Sequence, residues 1–97
     1  MTPPPAPRAT LTDEVTLIDG ALAALRHRDP MHALAILDDY DSRYPTGAMA
    51  PEAAVARIQA TLAKGDLAKA RELGEQFLAA HPKSPLAGRV RDLISHP

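Results

Sequence analysis

The chain has no cysteine and no tryptophan, and its aromatics number three, one phenylalanine and two tyrosines. Without thiols there are no disulfides and no thiolate metal sites, and the redox compartment stays open. Without an aromatic platform the chain lacks the means to stack single-stranded nucleic acid. No apolar run approaches the ~20 residues of a membrane span, so no direct membrane insertion is expected. The formal net charge is −1, which creates no general attraction to nucleic acid or anionic lipid. The five glycines are isolated and form no phosphate-cradling loop. Met1 is followed by prolines rather than by a basic start and an apolar stretch, so no secretory signal is read. That fits a cytoplasmic protein or a soluble fragment of an anchored, periplasmic parent equally well.

What is present is an echo. Asp29, Ala33, Ile36, Tyr40 and Pro45 recur 37 residues later as Asp66, Ala70, Leu73, Phe77 and Pro82. Each copy reads as a break, a helix carrying an alanine, and a proline that stops it. A repeat of this length is a unit that cannot bury its own apolar face and must stack on a neighbour. Apolar residues make up 45% of the chain, with alanine prominent, so the expected core is wide and thin.

Residues 1–9 hold four prolines and no periodic pattern, which predicts an extended linker ahead of a helical domain over 10–97. The first helix is expected to start at Thr10, with Asp13 completing a capping box. Leu11, Val15, Ile18, Leu22 and Leu25 then form one helical stripe. Asp29-Pro30 opens a second helix, buried through Ala33, Leu34, Ile36, Leu37 and Tyr40 and stopped at Tyr44-Pro45. The short break implies an antiparallel hairpin. Pro51-Glu52 starts a third helix with Val55, Ile58 and Leu62 as its stripe, and Gly65 ends it as a C-cap. Asp66 caps a fourth, carrying Leu67, Ala70, Leu73, Phe77 and Leu78, and His81-Pro82 stops it. Ser84-Pro85 caps a last helix with Leu86, Val90, Leu93 and Ile94 on one side, and His96-Pro97 is expected to fray.

Chemistry-bearing constellations are sparse. His27 and His32 are five apart across a break and so share no helix face as zinc ligands would; His81 sits in the helix-end slot that Tyr44 holds in the first copy. Ser42, Ser84 and Ser95 lie near helix ends and none sits in a glycine-rich elbow. No metal, cofactor or catalytic residue is expected, and a His-dependent hydrolase is the remote alternative. Asp38, Asp39 and Asp41 lie at a helix C-terminus, a poor place for negative charge; a solvated face or a basic partner would explain them. Arg57, Arg89 and Arg91 are expected to pair with Glu52, Glu75 or Asp92. Residues 1–45 hold seven acids and four bases, and residues 46–97 five acids and seven bases. The halves could attract head to tail, or simply be solvated helix faces.

The segment Gly65-Asp66-Leu67-Ala68-Lys69-Ala70, with Pro82 twelve residues after Ala70, resembles the tetratricopeptide repeats. Arg28-Asp29-Pro30 through Ala33 to Pro45 is a poorer copy with the same spacing. The small residue has a physical reason, since two helix axes cross closely there. The resemblance covers residues 11–95. The wording YPTGAMAPEA, GDLAKA, FLAAHPKSP and LAGRVR looks most like repeat proteins of the bacterial cell envelope, of the outer-membrane barrel-assembly lipoprotein and periplasmic cell-division coordinator types. It also looks like repeat tails on membrane-anchored regulators. The family's large aromatics are missing: Leu17 and Ala54 take one such position, Ala24 and Thr61 another.

The resemblance implies an all-α fold of two tetratricopeptide-like helical hairpins plus a C-terminal capping helix, an α-α superhelix. Its structural repeat residues are Ala33, Pro45, Gly65, Asp66, Ala70 and Pro82. It implies a non-catalytic protein–protein interaction module, a scaffold or adaptor; the alternatives are a cytoplasmic module that sequesters a transcription factor, or a homodimerisation domain. Carried over, the family's groove positions hold Val15, Ile18, Leu22, Leu25, Val55 and Leu62, all apolar. Two repeats fall short of the three usually needed, so the last helix, a partner helix or a second copy is expected to cover them.

Overall fold

The computed structural model describes the backbone of residues 7–95 and the side chains of residues 11–95. Five helices follow in order: α1 (Pro7–Arg26), α2 (Pro30–Arg43), α3 (Ala50–Ala63), α4 (Leu67–Ala80) and α5 (Ala87–Ser95), with no strand among the described residues. Each helix packs on the next; α1 also meets α3, and α3 meets α5.

The repeat is legible down to single hydrogen bonds. Asp29 Oδ1 accepts from the His32 N–H, and Asp66 Oδ1 accepts from the Lys69 N–H, both at 3.1 Å. Such caps satisfy donors that a helix start leaves free. The helices before these caps also end alike. The Asp29 N–H reaches Ala24 O and the Arg28 N–H reaches Leu25 O; 37 residues on, Asp66 reaches Thr61 and Gly65 reaches Leu62. This six-to-one closure needs a left-handed residue. Gly65 supplies it at φ +92°, and Arg28 adopts it at +59° against the steric preference of a side-chain-bearing residue. At the far ends, the Tyr44 and His81 N–H groups reach Tyr40 O and Phe77 O at 2.8 Å. The rings Tyr40–Tyr44 and Phe77–His81 lie 5.6 and 5.0 Å apart with similar tilts. Even the loops match, since the turn Ala50 N–H to Gly47 O recurs as Ala87 N–H to Ser84 O. Helix α5 therefore enters as α3 does.

Ala33 and Ala70 are both completely buried. One core cluster holds Ile18, Ala21, Ala24, Ala33, Leu37, Tyr40, Ala53, Ala56 and Ala60, and a second holds Val55, Ile58, Ala70, Phe77 and Val90. Helix α3 feeds both: Ala53, Ala56 and Ala60 face the first cluster, and Val55 and Ile58 face the second. A helix apolar all round is a buried helix.

Several boundaries and faces differ from the sequence expectation. Helix α1 begins at Pro7 rather than Thr10, so the domain starts inside the expected 1–9 linker and Thr10 is not its cap. Proline at a helix start loses nothing, because its missing N–H would be unsatisfied there. The rest of the linker and the His96-Pro97 tail lie outside the described residues. Helix α5 starts at Ala87, and Ser84 instead accepts from the Leu86 N–H in the turn before it. The α1 stripe is rotated: Glu14, Ile18, Ala21 and Ala24 are buried, Val15, Leu22 and Leu25 are half-buried, and Leu11 is 42% exposed. Small residues take the tightest contact, which pushes the leucines to its flanks.

Enlarging the crossing residue should overpack it. Ala70→Leu is expected to lower unfolding stability by about 1–3 kcal/mol in urea melts, while Ala68→Leu on the exposed face should stay within about 0.5 kcal/mol.

Candidate interaction surface

Helices α1 and α3 and the segment entering α5 frame an apolar strip. Its floor is Ile18, Val55 and Ala56, all buried, and Met49, Leu22 and Leu86 form its walls. An adjoining hollow of about 480 Å³ lies between Leu22, Leu25 and Arg26 on one side and Gln59, Ala63 and Arg89 on the other. The two hollows share Leu22, Gln59 and Arg89. The structure thus brings Ile18, Leu22, Leu25 and Val55 together. It does not bring Leu62 to them; that side chain lines a separate cleft of about 590 Å³ with Leu67, Arg71 and Ile94. Val15 is half-buried and falls outside both hollows of the strip.

Arg26 and Arg89 rim the strip beside Asp19 and Glu52, and both arginines are exposed. Neither forms an ion pair among the described residues. Arg91 is also unpaired there, and Arg57 pairs otherwise than expected. Its Nη2 lies 2.9 Å from both Asp38 Oδ1 and Asp41 Oδ2, because the end of α2 packs across α3 at that point. Asp39 pairs with Arg43 one turn on, at 3.1 Å. The three α2 acids therefore have partners within the chain, where the sequence suggested only a solvated face or a basic partner. Their pairing is exposed and contributes about 0–1 kcal/mol.

The group that sequence reasoning missed is Glu14, only 3% exposed. The Tyr40 hydroxyl donates to Glu14 Oε1 at 2.6 Å, and the Met49 N–H donates to the same oxygen at 3.1 Å. One carboxylate thereby ties α1, α2 and the residue that starts α3. Met49 has no side-chain cap of its own to offer. Burial first, and then the hydrogen bond and negative charge of Glu14, push the Tyr40 hydroxyl pKa well above the ordinary tyrosine range. Gly47 is small for the same reason. A Cβ there would come within 2.6 Å of Tyr40 Oη and closer still to the Glu14 carboxylate. The signal available was spacing: Glu14 lies four residues before Ile18, on the core face.

Glu14→Ala would leave a buried hydroxyl and amide unpaired, so it should cost about 1–3 kcal/mol in urea melts. Gly47→Ala should act in the same direction through the clash. A raised native pKa on Tyr40 means that the folded state retains a proton the unfolded state gives up. The stabilisation is complete below pH 10 and is lost as pH rises above it. Melts across that range should show wild type losing up to about 1.4 kcal/mol more per pH unit than Tyr40→Phe.

Among the described residues no group of three His, Asp or Glu side chains is placed to hold a metal ion, and no helix is long and apolar enough to cross a membrane. Neither a curated protein nor a solved structure matches the chain significantly. The sequence profile of one family, YfiO, described as outer membrane lipoprotein, matches residues 12–91. That span takes in the buried faces of all five helices, and the chain belongs to the YfiO outer membrane lipoprotein family.

Proposed function

We propose that this chain is a tetratricopeptide-type scaffold of the bacterial envelope. In this reading α1–α2 and α3–α4 are its hairpins, α5 is its end helix, and the α1–α3–α5 strip binds another protein. In this reading the chain is non-catalytic. The family description supports the envelope over the cytoplasm. The doubled caps, the buried Ala33 and Ala70, and the contacts of α1 with α3 and α3 with α5 support the repeat reading. The observation that carries the binding role is the strip itself, an apolar floor rimmed by Arg26, Arg89, Asp19 and Glu52, none of them in an ion pair among the described residues. A partner segment with apolar residues flanked by charges of both signs would satisfy both features.

The test is a photo-crosslinking residue at Leu25 or Gln59 in the source cell. It should give one discrete adduct with an envelope protein, and a probe at Lys69 on the outer face of α4 should give none. Reversing charge with Arg26→Glu and Arg89→Glu should abolish the adduct while stability stays within about 0.5 kcal/mol. An adduct only with a second copy would replace the adaptor reading by homodimerisation. No adduct at all would remove the strip as a binding surface.

A further inference from the structure

Glu14 is buried, yet no cation among the described residues pairs with it. Both of its hydrogen bonds end on Oε1, and it has no further hydrogen bond or ion pair among the described residues. Every buried side-chain oxygen among the described residues has a partner, so Oε2 must be the atom that still reaches solvent. Glu14 lines a cleft of about 450 Å³ together with Leu11, Tyr44, Pro45, Thr46 and Ala48. Arg43 stands at the same cleft, but Asp39 holds it at 3.1 Å. None of the lining residues belongs to the α1–α3–α5 strip.

The second copy of the repeat has no such site. At the 37-residue offset, Glu14, Tyr40 and Met49 correspond to Pro51, Phe77 and Leu86. The polar tie is thus an addition to the repeat, and α3 and α5 enter by the same turn without needing it. A desolvated carboxylate with no counter-charge among the described residues is costly, and one that lines a largely apolar cleft is matched by a cation with an apolar stem.

We propose that this cleft receives a lysine side chain from a partner protein, with its ammonium on Glu14 Oε2 and its methylenes along Leu11, Pro45 and Ala48. Lysine fits better than arginine for a geometric reason. A guanidinium fork binds both oxygens of a carboxylate, and here Oε1 already accepts two donors. An ammonium is a point charge and needs only one oxygen. The net acidity of residues 1–45 draws a basic partner to this end of the chain.

The test is NMR of the full chain titrated with n-butylammonium and, separately, n-butylguanidinium at constant ionic strength. Butylammonium should give saturable shifts at the amides of Tyr44, Thr46, Gly47, Ala48 and Met49, with weaker binding of butylguanidinium. Glu14→Gln keeps an acceptor for Tyr40 and Met49 and should bind butylammonium at least about tenfold more weakly. Ala48→Arg places a fixed charge at the exposed mouth, leaves the Glu14 bonds intact and should abolish binding. Equal binding by Glu14→Gln, guanidinium as good as ammonium, shifts centred on Asp38, Asp39 and Asp41, or no saturable shift would each overturn the proposal. Should Glu14→Gln fail to fold, retained binding by Ala48→Arg overturns it alone.

Discussion

Everything in this fold leans on the burial of α3 from two sides. Ala53, Ala56 and Ala60 let α1 and α2 approach one flank, while Val55 and Ile58 fill the other against α4 and α5. Alanine contributes little transfer free energy per residue, so stability here depends on many short backbone-to-backbone contacts rather than on a few large side chains. A shape of 50 × 30 × 17 Å follows, because a core one helix thick spreads along the stack instead of rounding up. It also follows that little volume is spare, which makes a single added side chain at a crossing expensive.

Two polar ties cross the first half of the stack, and magnitude separates them. The Arg57 bridge to Asp38 and Asp41 joins α3 to α2 in solvent; there, water and salt screen most of its energy. The Glu14 tie is buried, charge-assisted and shared by two donors, so each bond is stronger and each loss leaves a stranded group. The first positions the end of α2 loosely. The second holds the loop that starts α3, and through α3 it steadies both core clusters and the strip that the α3 and α5 entries frame.

The second copy shows what the repeat needs as a minimum. It builds the same caps, the same helix-end closure and the same aromatic pair without any buried carboxylate. Glu14 and Tyr40 are therefore better understood as a modification of the first unit than as part of the repeat.

Local signals carried a large share of the fold. Asp29-Pro30, Gly65-Asp66 and the two proline stops announced helix ends because capping and backbone geometry involve only neighbouring residues. The alanine echo marked two buried positions, because a small side chain suits a close helix contact. Ranges were poorer at Pro7 and Ala87, where helix and turn chemistry differ little. The site was less legible. Four of the six expected groove residues come together and Leu62 does not, because an apolar period gives a helix face without giving the neighbour it meets. Glu14 reads as an ordinary surface acid until α2 brings the Tyr40 hydroxyl and the loop brings the Met49 N–H to it. Arg57 likewise has nearer acids in the chain than the ones it binds. Short-range chemistry is written in adjacent letters; partners 26 or 35 residues away are set by how helices dock, and that depends on the packing of the whole stack.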